Sequence, residues 1–248
     1  LRLVSSDEAV DGPNLDAAVA ALASTDGAVI VLPAVAADYA SRQQNFGFYK
    51  VALLHQLGFY EFGTFDFRYA NNPLAFSAFF RRFSNPALAQ LVFRLLEDAR
   101  VDWQLTNSYR GIRRDLDWLK ADARQRRADV EVKTETGRLL EALVLAGLDQ
   151  KISADVDGAN DIAQLQQQLL TLELPGASIW DTMLAVKQCY ALVVQATPAA
   201  GQDSFWLEVP RQVNFRGVIE PDKVSVNLQL GLLDDEDLEI IDDDAESL

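Results

Sequence analysis

Apolar positions recur at spacings of two to four residues along most of this chain, as they do in helices that bury one face. Phe46, Tyr49, Val51, Leu53, Leu54, Leu57 and Tyr60 form one broad apolar face and predict a helix over about 37–61, ended by Gly63. Asn72-Pro73 opens a helix over 74–83, with proline tolerated at the first turn because its missing N–H has no intrahelical partner there. Ser84-Asn85-Pro86 breaks that helix and caps a long one over about 87–107. Gly111 then precedes a strongly charged helix, 112–128. An amphipathic helix over 134–148 is closed by Gly147. Another, over 161–171, carries Gln166-Gln167-Gln168 on its exposed side. Ser178 caps a last helix over about 179–195.

The flanks read differently. Residues 1–13 look irregular and end in the turn signal Asp11-Gly12-Pro13, after which Asn14 can cap a short Ala-rich helix over 15–22. The run 27–33 is short and apolar, either a strand or a buried connector. Residues 152–158 are polar and loop-like, and 197–203 form a Pro/Gly/Ala linker. Beyond it the segments 205–209, 212–216 and 224–228 alternate like short strands. The expected fold is mainly α: an irregular multi-helix bundle with a small extended or β appendage near the C-terminus and a disordered acidic tail. The expected division is a helical domain at 1–196, a small extended segment packed on it at 197–233, and an acidic linker at 234–248.

Charge sharpens this picture. The net charge is −15, but residues 234–248 hold nine acids and no base, so the rest of the chain carries only −6. A mildly acidic body argues against nucleic acid as a partner, and the acidic run reads as a solvated linker or interaction segment. No apolar run approaches the roughly 18 residues of a membrane span. The single cysteine, Cys189, has no internal disulfide partner, which suits a reducing cytoplasm. The chain begins Leu1-Arg2-Leu3 without Met, so it is expected to be an internal piece of a longer polypeptide.

Candidate chemistry is sparse. His55 is the only histidine, and any Ser-His or Cys-His nucleophile would have to use it. Cys189 sits beside Tyr190 on an amphipathic helix, where a thiol behaves as a small apolar group. A zinc site would have to join His55 to carboxylates such as Glu61 or Glu97, and the two-histidine spacing of metalloproteases is absent. Glu97 and Arg100, three apart on one helix, can bridge, and Asp98 and Asp102 are four apart beside them. Together with His55 and Glu61 they form a candidate structural polar cluster: His55, Glu61, Glu97, Arg100 and Asp102. Arg110, Arg113, Arg114, Lys120, Arg124, Arg126 and Arg127 make a basic stretch. It is either a solvated helix face or a surface for an acidic partner or for the chain's own acidic run. Arg113, Arg114, Arg124 and Arg127 are the expected contact residues. There is no Gly-x-x-x-x-Gly-Lys-Ser/Thr or Gly-x-Gly-x-x-Gly run, so neither ATP hydrolysis nor dinucleotide binding is expected, and no cofactor is implied.

Several segments share a resemblance. They are Asn45-x-x-Phe48-Tyr49-Lys50, Leu54-His55-Gln56-x-Gly58-x-x-Glu61-Phe62-Gly63-Thr64-Phe65 and Leu95-Leu96-Glu97-Asp98-x-Arg100-Val101-Asp102. Tyr109-x-Gly111-Ile112-x-x-Asp115-Leu116, Ser178-Ile179-Trp180-Asp181-Thr182 and Phe215-Arg216-Gly217 follow in order. Together they resemble the N-terminal region of the CbbO/NorD family over most of residues 27–220. The resemblance implies a non-catalytic adaptor of a hexameric MoxR-type AAA+ ATPase, with a helical N-terminal region and a C-terminal von Willebrand factor A domain. Of the two branches, CbbO is favoured. With a CbbQ-type ATPase it acts as a rubisco activase, remodelling inhibited rubisco in carbon fixation. The NorD branch serves maturation of nitric oxide reductase. This chain has no Asp-x-Ser-x-Ser run of an A domain, so it would be the ATPase-docking part, and rubisco would be a client held through the missing domain. A metal-dependent hydrolase centred on His55 is the rival expectation from another class.

Overall fold

The computed structural model describes residues 2–5, 22–33, 39–150, 159–196 and 210–231. It is mainly helical, with a small sheet at one side. The helices are α1 (Arg42–Glu61), α2 (Ala75–Phe80), α3 (Pro86–Ser108), α4 (Arg113–Gln125), α5 (Glu135–Gly147), α6 (Ala159–Leu172), α7 (Ile179–Gln195) and α8 (residues 221–231). The axis is α3, which packs against α1, α2, α4, α5, α6 and α7. Residues 95–102 of α3 are buried without a break, so this stretch has no solvent face. A helix enclosed all round is normally apolar. Here Glu97, Asp98, Arg100 and Asp102 lie within the enclosed stretch.

Local chemistry sets the helix ends. The α1 helix begins at Arg42, later than the apolar spacing suggests, because Ser41 and Gln44 close a capping box. Each side chain accepts the other's backbone N–H at 3.2 Å. Asn85 Oδ1 accepts the Leu88 N–H at 3.0 Å and Pro86 occupies the first turn of α3. Thr134 Oγ1 accepts the Gly137 N–H at the start of α5, and Asp181 Oδ2 accepts the Ser178 N–H at 2.7 Å at the start of α7. The cap of α2 is not local. Asp222, far along the chain, accepts the N–H groups of Phe76 at 3.0 Å and Ser77 at 2.7 Å. Around α2 the rings of Phe67, Phe76, Phe79, Phe80 and Phe93 pack at centroid distances of 5.0 to 5.8 Å, mostly tilted or edge-on.

The sheet draws on both ends of the chain. Its strands are β1 (Arg2–Ser5), β2 (Ser24–Thr25), β3 (Val29–Leu32) and β4 (Val218–Ile219), in the order β1-β3-β2-β4. β1 runs parallel to β3 with Arg2 opposite Val29, β2 is antiparallel to β3, and β4 is parallel to β2 with Ser24 opposite Val218. The apolar run at 27–33 is therefore a strand. The first residues pair as a strand too, where the sequence suggested irregular chain.

Two expected strands are not strands. Asn214–Arg216 is a 3-10 turn, and residues 224–228 lie inside α8. Pro221 starts α8, and Pro221, Val224 and Ser225 are buried with Leu228 half-buried, a helical spacing that outweighs the β preference of Val-Ser-Val. The segment 210–231 places Val213, Phe215 and Val224 in the main core. The expected loop at 152–158, linker at 197–203, strand at 205–209, acidic run at 234–248 and all but Leu22 of the helix at 15–22 lie outside the described residues.

Candidate functional site

The enclosed turns of α3 carry two ion pairs back to back. The first is Glu97 with Arg100, three residues apart and thus on one helix face. Arg100 Nε lies 2.9 Å from Glu97 Oε2 and Nη2 lies 2.6 Å from Oε1, a two-pronged contact. The other guanidinium donors reach the carbonyls of Phe62 and Ala177, each at 3.0 Å. Glu97 also accepts the hydroxyls of Thr64 at 2.5 Å and Thr182 at 2.7 Å. The pair thus joins the C-terminal end of α1, the turn after it and the start of α7 onto α3. Burial alone would raise the Glu97 carboxyl. The Arg100 charge and the bonds from Arg100, Thr64 and Thr182 outweigh it and hold Glu97 below its usual range.

The second pair is Asp102 with Arg216. Arg216 Nε and Nη2 lie 3.1 and 2.8 Å from Asp102 Oδ2, and Nη2 also donates to the Gly147 carbonyl at 2.6 Å. Lys120 Nζ lies 3.7 Å from the same oxygen and 3.1 Å from Asp149. Burial would raise Asp102, but Arg216, Lys120 and His55 together keep it low. Gln56 donates to the Arg216 carbonyl at 2.9 Å, fixing the backbone that presents the guanidinium. Gly217 follows at φ 70° and ψ −154°, and a Cβ there would overlap the Ala23 carbonyl oxygen and sit 2.6 Å from Gln56 Nε2. Only glycine lets the chain turn from Arg216 into β4.

His55 lies against this second pair, its Nε2 3.3 Å from Asp102 Oδ1 but without hydrogen-bond alignment. Its side chain has no solvent exposure and its ring meets Phe59 edge-on. Burial pushes its pKa down to about 4, against the pull of Asp102, so the imidazole is neutral at pH 7. Burial pushes Asp98 the other way, up to about 7, with Asp102 and Glu97 adding to the rise and Arg216 and Arg94 opposing it. A neutral, enclosed imidazole and carboxylates committed to guanidinium groups are suited to holding helices together. They have no exposed face on which to meet a substrate.

The structure brings together His55, Glu97, Arg100 and Asp102 but not Glu61. Glu61 is exposed and accepts the Tyr109 hydroxyl at 2.5 Å, because six residues of helix turn it about 120° from His55. Of the candidate metal ligands beside His55, Glu61 is thus held at the surface and Glu97 by Arg100. Among the described residues, no group of three or more His, Cys, Asp or Glu side chains is placed to hold a metal ion. The expected partner-contact residues also divide. Arg113 and Arg114 are exposed. Arg124 is half-buried and donates to the Leu148 carbonyl. Arg127 is buried, with Nη1 2.9 and 2.8 Å from the two Glu141 oxygens, so it belongs to the core rather than the surface. Sequence reasoning assigned no role to Arg216, Gln56, Thr64 or Thr182, and it placed Lys120 only in the basic stretch, whereas that side chain is buried beside Asp102.

Comparison of the chain with protein-family models, curated proteins and solved structures finds no match. Among the described residues, no helix is long and apolar enough to cross a membrane.

Proposed function

We propose that this chain is the ATPase-docking region of an adaptor similar to CbbO, a non-catalytic partner of a hexameric MoxR-type AAA+ ATPase of the CbbQ kind. The observation that supports this reading is a convergence. Four of the segments that carry the resemblance are far apart in sequence yet contribute to two buried clusters on adjoining turns of α3. His55, Gln56 and Thr64 come from the first, Glu97, Arg100 and Asp102 from the second, Thr182 from the third, and Arg216 and Gly217 from the last. A likeness concentrated in the residues that set the architecture is a likeness of architecture.

The arrangement also suits the mechanical task. Buried ion pairs fix geometry more reliably than they add stability, and these two clusters tie α1, α7 and the 214–216 turn to the single axis of α3. A body cross-braced in this way passes force from the ATPase to a client without yielding internally. The contact face is the exposed pair Arg113 and Arg114. Rubisco, held through an A domain, is the client in this reading, and the setting is cytoplasmic.

The test is to mix the chain with a CbbQ-type ATPase and follow size exclusion and ATP turnover. Co-elution with a changed turnover rate is expected. Co-elution with a NorQ-type ATPase instead would place the chain in the NorD branch, and no complex with either would overturn the adaptor reading.

A further inference from the structure

Unbalanced positive charge gathers at one corner of the fold. The turn between α3 and α4 carries Arg110, and α4 begins with Arg113 and Arg114, all three exposed. Among the described residues none of the three forms an ion pair; Arg113 makes only a long contact of 3.4 Å to the Thr106 carbonyl. The acids nearby are largely engaged. Asp115 pairs with Lys50, and Glu61 accepts from Tyr109. Asp117, exposed on α4, is the remaining one. Arg113 and Arg114 also occupy the first turn of α4, which begins without a side-chain cap. The helix dipole is positive there and favours anions over cations, so local forces make this a poor place for arginines and a good one for an acidic ligand. Beside them opens a groove of about 590 Å³ lined by Lys50, Leu54, Tyr109, Arg110 and Ile112. A second basic groove, of about 450 Å³, is less suited because Arg126 and Arg127 on its wall are already matched by Asp122 and Glu141.

We infer that the acidic segment 234–248 of this same chain occupies the groove at the α3–α4 turn. That segment places nine acids and no base within reach of three unmatched guanidinium groups, with Leu238, Ile240 and Ile241 among them to meet the half-buried Leu54 and the exposed Tyr109. Reach is not limiting. The 17 residues after Gly231 span up to about 60 Å when extended, while a globular chain of this length has a radius of gyration of about 18 Å. A tether of this length supplies an effective concentration on the order of 1 mM, so a contact too weak to form between separate molecules is populated within one. Its consequence, that the segment competes with an ATPase for Arg113 and Arg114, rests on the reading above. The contact itself does not.

A fluorescent peptide with the sequence of residues 232–248 tests it. The peptide is titrated into three proteins that each span residues 1–248. These are the native chain, a chain whose nine acids at 234–248 are changed to amides, and that amide chain with Arg113→Glu and Arg114→Glu. The amide chain is expected to bind the peptide, the charge-reversed form at least about tenfold more weakly, and the native chain more weakly than the amide chain because its own segment competes. Equal thermal midpoints for the two amide chains verify that both are folded. The inference is overturned if the amide chain does not bind, if charge reversal leaves binding unchanged, or if native and amide chains bind alike.

Discussion

Arg216 holds Asp102 across 114 positions of sequence, with two guanidinium nitrogens on one carboxylate oxygen and no solvent at either side chain. Removing one partner strands the other charge in a medium that cannot solvate it, at a cost of about 3–5 kcal/mol. Arg216→Met and Asp102→Leu are each expected to fall in that range by urea denaturation. The double variant should lose much less than the sum, because neither partner is left stranded and Lys120 keeps Asp149. Losses that simply add would mean that the two side chains are not coupled.

Cys189 is enclosed on α7, and burial pushes its thiol up to about 12, so almost no thiolate forms near neutral pH. A thiol reagent at pH 8 is expected to modify the native protein at least about a hundredfold more slowly than a free thiol. The rate should rise through the urea unfolding transition, making this cysteine a reporter of global opening. Rapid stoichiometric labelling of the native chain would contradict the burial.

The helices of this fold were legible where their determinants are local. Asn85-Pro86 and Ser178 fix the starts of α3 and α7 within the few residues that a cap spans, and the Glu97–Arg100 pair follows from a three-residue helical spacing. What escaped the sequence depends on distant chain. Arg216 is a lone arginine until Asp102 is placed opposite it, and β1 becomes a strand only because β3 runs beside it. Glu61 looked like a neighbour of His55 until the helical turn was taken into account. Arg127 looked like one more surface cation because its match, Glu141, comes from the next helix. Val224 to Leu228 alternate like a strand, and only the burial of Pro221, Val224 and Ser225 on one side shows the helix.

Gly217 is expected to tolerate no side chain. Its φ of 70° with ψ of −154° is essentially a glycine conformation, and the Ala23 carbonyl fills the space a methyl would need. Gly217→Ala should cost about 2–4 kcal/mol and disturb the β2–β4 pairing. Gly111→Ala, with nothing within 4 Å of the added carbon, should stay within about 0.5 kcal/mol. Equal behaviour of the two variants by thermal denaturation would remove the close approach as the reason for glycine at 217.

His55 and Asp98 shift in opposite directions, so on folding near pH 5 one loses a proton and the other gains one. Unfolded at pH 5, the histidine is charged and the aspartate ionised. Folded, with His55 lowered from 6.5 to about 4 and Asp98 raised from 3.8 to about 7, both are neutral. Taken alone, His55 makes the fold gain stability as pH rises from about 4 to 6.5, because only the unfolded state then binds the proton. Taken alone, Asp98 makes it lose stability as pH rises from about 4 to 7, because only the folded state then does. Each slope is about 1.4 kcal/mol per pH unit, and between pH 4 and 6.5 they cancel. The two shifts therefore contribute almost no pH dependence in that range to the native protein, and each variant should unmask the other. Asp98→Asn is expected to gain stability with rising pH between 4.5 and 6.5, His55→Gln to lose it, and the double variant to return to the native slope. Denaturant midpoints at half-unit pH intervals measure all three. Parallel profiles for the native chain and both single variants would show that the two groups do not change protonation on folding.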